Sequence, residues 1–408
     1  MKKKRLSALM LAAGLALTAC SGGNDSAPTT AADKAPADTA AAGSEKSGQG
    51  EAAGGEAAPA GGELVLGFAV PLTGTSAAGG EIVRNGLQMA VDEINEAGGI
   101  DGKWTIRLIT EDNQNDPSTS VNVMEKLCNQ DNANVVISST ASSCCLADME
   151  VTKAAKCPEL APASTAASLT EQGNEYFFRT AVTDSSNVVC LYDYFTGTMK
   201  GSKIAVLYES NDFGNGGYQL LQDYAGQYNV EIIDAQAYNV GDVDFSVQLT
   251  QFKEEAPDAI FVWGHYEEVT IMCKQMAQYE VEIPVMGTGY NSPYLTEMGG
   301  EFVEGIMLST CYTTADPDEK VQAFDAKYTE LYKAAYDQNA PQAYDTVYMI
   351  ADAVTRAQSV DREAIQKALT EVKDFDGLTG VMNFDEKNNV SKTCKMIKIE
   401  NGQQVLCD

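Results

Sequence analysis

Two short runs place hydroxyl groups where they can do binding chemistry. Ala141-Ser142-Ser143 follows the apolar run Ala133 to Ser138 and precedes a helical stretch, while Pro162-Ala163-Ser164-Thr165 ends the next apolar run. Hydroxyls beside the open N–H groups of a helix start make an anion site, so the first run suits a carboxylate. The second offers a backbone carbonyl, a backbone N–H and the Thr165 hydroxyl. The alternative is that Ser142 and Thr165 cap helices, a common use of Ser and Thr. Bond-breaking chemistry has less support. There is no G-x-S-x-G elbow, no H-E-x-x-H and no G-x-x-x-x-G-K-[ST] in the chain. One histidine, His265, must serve any base-assisted nucleophile, and a metal site of several imidazoles is excluded. A carboxylate pair of the glycosidase kind cannot be counted out among 58 acidic residues. No cofactor and no metal are expected.

Cysteines are numerous without forming a reactive motif. Besides Cys20 there are Cys128, Cys144, Cys145, Cys157, Cys190, Cys273, Cys311, Cys394 and Cys407. Cys144-Cys145 lacks the C-x-x-C spacing of zinc or redox sites and reads as structural. Cys394 and Cys407 flank an Asn401-Gly402 turn signal, which permits a disulfide across a hairpin.

The N-terminal twenty residues set the compartment. Lys2 to Arg5 are basic, Leu6 to Leu17 apolar, and Leu17-Thr18-Ala19-Cys20 closes with small residues before a cysteine. The run resembles a bacterial lipoprotein signal, 1–19, which implies a diacylglyceryl group on the Cys20 thiol and an outer-face membrane anchor. The apolar stretch is too short to span a bilayer core of about 30 Å as a helix. Ser21 to Gly62 is nearly all Ala, Gly, Ser, Thr, Pro and acidic residues, so it reads as a tether unable to fold alone. As a flexible coil it would reach roughly 35 Å. The chain without its leader carries 24 basic against 58 acidic side chains. That balance argues against nucleic acid or anionic lipid as a partner.

The remainder, from Glu63, is long enough for two lobes with separate cores. Short β-branched runs alternate with amphipathic stretches, the pattern of parallel strands joined by covering helices. Strands are expected at Leu64 to Val70, Trp104 to Thr110, Ala133 to Ser138, Lys203 to Glu209, Val230 to Asp234, Ala259 to Trp263, Ile283 to Gly287, Val381 to Phe384 and Cys394 to Leu406. Helices are expected at Glu81 to Glu96, Pro117 to Cys128, Asp318 to Tyr336 and Gln342 to Ala357.

Several strings then appear in a telling order: FAVPLTG from Phe68, VDEINEAGGIDG from Val91, EDNQNDP from Glu111, VVISSTASS from Val135 and LAPASTAASLT from Leu160. FFRTAVTDSSN from Phe177, SNDFGNG from Ser210 and MNFDEKNNV from Met382 follow. Together they resemble the extracytoplasmic solute-binding proteins of branched-chain amino-acid ABC transporters. The resemblance implies an α/β fold of two doubly wound lobes with ligand held in the cleft between them and three hinge crossings. Lobe one would be 63–183 plus 312–377, and lobe two 184–311 plus 378–408. It implies a monomer, without enzymatic activity, that captures an amino acid or related small solute and delivers it to ABC permease subunits. A lipid-anchored sensor of an amide, urea or short peptide, signalling to a receptor, is the alternative.

By the same resemblance, positions matching Ser142, Ala163 and Thr165 contact the ligand backbone, with Ala141 and Ser164 beside them. The family's second-lobe glutamate is missing: Thr288-Gly289-Tyr290 stands there, which puts Gly289 and Tyr290 at the site. Asp184 is the substitute partner for an ammonium, unless it is a hinge or capping aspartate. Gly79, in the loop Leu72 to Gly80, replaces a tyrosine wall and implies a roomier pocket. Phe213 and either His265 or Tyr266 are expected to close over the ligand, unless they are core aromatics.

Overall fold

The computed structural model describes residues 62–407 with the exception of Thr75. The signal at 1–19, Cys20 and nearly all of the linker lie outside the described residues; Gly62 itself opens the first strand. Five parallel strands form the first sheet: β1 (Gly62–Val70), β2 (Trp104–Asp112), β3 (Val135–Ile137), β4 (Glu159–Ala161) and β5 (Phe177–Arg179), in the order β2-β1-β3-β4-β5. The second sheet holds β6 (Lys203–Glu209), β7 (Glu231–Tyr238), β8 (Ala259–Trp263), β9 (Val285–Thr288) and β10 (Met307–Thr310). A small hairpin, β11 (Phe375–Gly377) with β12 (Gly380–Met382), stands apart, and an antiparallel hairpin, β13 (Lys395–Glu400) with β14 (Gln403–Leu406), extends the second sheet to the order β14-β13-β10-β9-β8-β6-β7. The helices are α1 (Ala77–Glu96), α2 (Pro117–Asn129), α3 (Ser142–Ala154), α4 (Ser168–Glu171), α5 (Asp184–Gly197), α6 (Asp212–Tyr228), α7 (Ser246–Glu255), α8 (Tyr266–Gln278), α9 (Pro293–Gly299), α10 (Glu319–Tyr332), α11 (Asn339–Ala357) and α12 (Arg362–Thr370).

Both sheets are covered on both faces, which is why their strands read as unbroken apolar runs rather than as alternation. In β1, Leu64, Leu66, Phe68 and Val70 pack with Val83, Leu87 and Ala90 of α1 and Val347 and Ile350 of α11. Val65 and Ala69 face the opposite way, onto Met124 and Leu127 of α2. In β8, Ile260 and Val262 join one cluster while Ala259, Phe261 and Trp263 join another. Each fully buried side chain of this size is worth about 1.5–3 kcal/mol.

The chain passes between the two sheets three times: after β5 into α5, after β10 toward α10, and from Val390 to β13. This last passage corrects the expected boundary at 377. Met382 and Val390 belong to the core of the first sheet, Phe384 packs on it, and Arg179 bridges to Asn389. The segment 378–390 therefore covers the first sheet, and the crossing falls at 391–394. Two smaller expectations also shift. Gly79 lies in the first turn of α1 rather than in a loop, and α10 stops at Tyr332, where Lys333 takes a left-handed conformation. Asn401-Gly402 makes the tight turn of the β13-β14 hairpin, with φ of 52° and 72°. Cys407, however, donates its N–H to Met396 O, so it sits opposite Met396, two residues out of register with Cys394. Among the described residues no helix is long and apolar enough to cross a membrane.

Candidate functional site

The strand ends of the first sheet bring the two hydroxyl runs together. α3 starts at Ser142, and its cap residue Ala141 has an extended backbone with no side-chain cap bond. Ser142 is buried, and its hydroxyl accepts the Ala166 N–H at 3.4 Å, tying the first run to the second. The Ser164 hydroxyl is turned inward: it donates to Ser139 O at 2.9 Å and lies 3.0 Å from Cys145 Sγ. Only the Ser164 backbone remains for a ligand. Ala163 packs half-buried against the first core. Thr165 is half-buried, and its carbonyl accepts from Arg179 Nη1 at 2.6 Å.

Asp184 begins α5 at the first passage between the sheets. Capping there is done by Thr183, whose hydroxyl accepts the Ser186 N–H at 3.2 Å. That removes the capping role for Asp184. Its side chain is 1% exposed, and neither carboxylate oxygen has a hydrogen-bond partner. Burial pushes the carboxyl up to about 6, against the opposing pull of Thr165, Arg179, Asn187 and Trp263 around it. Arg179 is itself committed elsewhere, to the carbonyls of Thr165 and Ala166 and to Asn389 Oδ1. Trp263 Nε1, at the end of β8, is buried and unpartnered too. A buried acceptor and a buried donor thus stand in one neighbourhood: neither makes a hydrogen bond of good geometry, but Trp263, Thr165 and Asn187 lie close enough to the carboxylate to lower its carboxyl against burial. Such groups cost free energy unless something supplies partners.

The opposing wall comes from the strand ends of the second sheet. Glu209 closes β6, is fully buried, and gathers donors. His265 N–H reaches its Oε1 at 2.9 Å, His265 Nδ1 lies 2.6 Å from the same oxygen, and Asn211 Nδ2 donates to Oε2 at 2.7 Å. Burial works against a charge on Glu209, but His265 outweighs it and the carboxyl is held below its ordinary range. The His265 ring is exposed, with 50% of its side-chain surface open. Desolvation by its neighbours disfavours the cation, but Glu209 more than compensates, raising it to about 9. Phe213, at the start of α6, packs 5.2 Å from the His265 ring and 6.3 Å from Trp263. Two glycines make this packing fit. A Cβ on Gly217 would lie 2.2 Å from Trp263 Nε1; one on Gly289, which has φ of +94°, would lie 2.7 Å from Phe213 Cζ. The two walls meet at Gly216, where a Cβ would lie 4.0 Å from Ala166 Cβ.

Among the sequence candidates, Ser142, Ala163, Thr165, Asp184, Phe213, His265 and Gly289 border this cleft. Tyr266 is half-buried at the start of α8, with its ring 5.6 Å from Tyr294. A Cβ on Gly79 would meet open space. Tyr290 is a correction: it is fully buried in the core of the second sheet and donates its hydroxyl to Met307 O at 2.8 Å, so it faces away from the cleft. Glu209 and Trp263 were not singled out. The available signal was a carboxylate and an indole at the carboxyl ends of parallel strands, where such sheets bind ligands. Two cavities lie elsewhere: about 640 Å³ beside α5 and β13, and about 490 Å³ between α1, α10 and α11.

Comparison with known proteins follows this geometry. Leu/Ile/Val-binding protein homolog 1 of Brucella abortus is 28% identical over 334 residues, covering 80% of this chain and 87% of that one. The leucine binding protein LivK of Thermotoga maritima superposes with a TM-score of 0.78 at 25% identity, over 85% of this chain and 98% of that one. LivJ of Streptococcus pneumoniae, solved with isoleucine, gives 0.77 at 28% identity, over 84% and 99%. A family model described as periplasmic binding protein matches residues 63–403. With two doubly wound sheets, three passages between them and a match over nearly all the described residues, the chain belongs to the periplasmic binding protein family.

Proposed function

We propose that this chain is the solute-capturing component of an ABC importer, and that its solute is an α-amino acid. The observation that carries this reading is the Asp184 carboxylate, buried at the first passage between the sheets, with neither oxygen in a well-formed hydrogen bond and with Thr165, Asn187 and Trp263 close around it. A ligand ammonium supplies charged donors to it. The ligand carboxylate takes the start of α3 and the Thr165 backbone N–H and hydroxyl, where helix N–H groups favour an anion. Its side chain lies against Phe213, Trp263 and His265. Support also comes from LivJ of Streptococcus pneumoniae, solved with isoleucine.

Capture begins on the first sheet's loops, and the second sheet's wall closes by rotation at the three passages. Closure expels water and presents one composite surface to a permease. The solute leaves unchanged. Lipidation at Cys20 tethers the protein to the outer face of the membrane through the linker. The sequence features that support the tether are the basic, apolar and small-residue blocks before Cys20.

A thermal-shift screen of amino acids at pH 7.5 tests the proposal. At one hundred times its Kd, a true ligand stabilises by about 2.7 kcal/mol. The matching α-hydroxy acid, which lacks the amine, should give no shift. Equal shifts for amino acid and hydroxy acid, or none for any amino acid, would overturn the assignment.

A further inference from the structure

Two cysteines meet where the chain crosses between the sheets. β10 pairs with β13 as far as Thr310 opposite Lys395; continuing that register by one residue puts Cys311 opposite Cys394, and both thiols are free in the structure. Ile399 donates its N–H to Ile306 O, which marks that pair as hydrogen-bonded. Bonded and non-bonded pairs alternate along an antiparallel ladder, so Cys311 and Cys394 occupy a non-bonded position. Such pairs bring their Cα atoms to about 4.5 Å, inside the window of roughly 4.4–6.8 Å that a disulfide bridges.

In the reduced chain the two sulfurs have different contacts, Cys311 Sγ at 3.5 Å from Gln338 Oε1 and Cys394 Sγ beside Asn187, so the bond requires both side chains to turn. Ser309, two residues before Cys311, donates its hydroxyl to Asn187 Oδ1 at 2.9 Å, and Cys394 Sγ contacts the same oxygen at 3.4 Å. Cys311 lies within one apolar cluster, and Cys394 packs against it. Cys394 also lines the cavity of about 640 Å³, whereas Cys311 is only 5% exposed behind it.

We propose that Cys311 and Cys394 form a disulfide that ties together two of the three passages between the sheets. A family that works outside the cytoplasm meets conditions in which such bonds persist. The oxidant is a disulfide of a small thiol or of a thiol oxidase. The Cys394 thiolate attacks one oxidant sulfur and expels a thiolate; the Cys311 thiolate then attacks the Cys394 sulfur and expels the second. The two cysteines lose two electrons and two protons, and the oxidant disulfide becomes two thiols. In the folded chain burial raises Cys311 to about 11 and Cys394 further, which leaves little thiolate for exchange.

The test uses the full chain, refolded from denaturant in a mixture of reduced and oxidised glutathione, alkylated, digested without reductant and mapped by mass spectrometry. The expected result is one cross-linked pair joining the peptides of Cys311 and Cys394, released by reductant. Recovery of both cysteines alkylated and unlinked would overturn the proposal, as would Cys394 bridged to Cys190 or Cys407. Reductant should also lower the melting temperature of the oxidised chain but not that of C311S/C394S; equal lowering of both would count against the bond. Neither readout depends on a solute, so failure here leaves the binding reading standing.

Discussion

Replacing Asp184 with asparagine should make the ligand-free protein more stable while disabling capture. Holding the Asp184 carboxyl at about 6 instead of 3.8 means that folding disfavours its ionised form. The cost at neutral pH is about 3 kcal/mol, since each pKa step is worth about 1.36 kcal/mol. The sign follows from where the protons sit. Below about pH 3.8 the group is protonated in folded and unfolded chains alike, and no penalty exists. Between 3.8 and 6 the unfolded chain ionises first and the penalty grows; above 6 it is complete. Asparagine keeps the shape and carries no charge. Asp184→Asn should therefore melt higher than the parent at pH 7.5, by roughly 4 °C for a chain of this size. The gap should vanish toward pH 4. Scanning calorimetry at pH 7.5, 6 and 4, without added solute, reads this directly. With an amino acid present at a thousand times its Kd the order reverses, because only the parent gains the stabilisation of about 4.1 kcal/mol. A variant that melts lower than the parent at pH 7.5 would refute the reasoning, since it would show that Arg179 or another group stabilises the carboxylate in the empty protein.

Three further outcomes follow from the same geometry. His265→Gln should lose stability relative to the parent below about pH 6.5, and the difference should close as pH rises through about 9, where the parent imidazolium loses its proton; melting curves from pH 6 to 10 check this. Gly289→Ala forces a Cβ to within 2.4 Å of Gly264 O and 2.7 Å of Phe213 Cζ, so it should cost about 1–3 kcal/mol in chemical denaturation and weaken solute titration. Phe213→Ala removes about 1.5–3 kcal/mol of apolar contact made by the closed form, which isothermal titration should register as a tenfold or greater loss of affinity.

The sheets were legible because their chemistry is local. Runs such as Lys203 to Glu209 and Ala259 to Trp263 are apolar on both faces, and only a doubly covered strand tolerates that. The hydroxyl runs at Ser142 and Thr165 were legible for the same reason, since each sits directly after such a strand. What escaped depends on partners far along the chain. Glu209 matters because of His265, 56 residues later, and nothing in Leu207-Tyr208-Glu209 announces that pairing. Tyr290 looked like a cleft aromatic because it follows β9; its hydroxyl goes instead to Met307 O, across the neighbouring strand. The third crossing was misplaced because Met382 and Val390 are apolar residues in a loop-rich stretch, and apolar character alone does not say which sheet they cover.

The position of Asp184 also says how binding energy is divided. Under the proposed function it stands at the first passage, the pivot of the proposed rotation, and so would face the ligand before and after closure. Energy from such a contact raises affinity for both forms equally and does nothing to shift them. Phe213, Trp263 and His265 belong to the second sheet and reach a ligand resting on the first sheet's loops only when the walls meet. Driving the population from one per cent to ninety-nine per cent closed takes about 5.5 kcal/mol of preference. That is more than one aromatic face provides at about 1.5–3 kcal/mol, but within reach of a ring, an indole N–H and an imidazolium acting together. On the proposed function the buried carboxylate thus selects what enters, and the opposite wall decides whether the protein shuts.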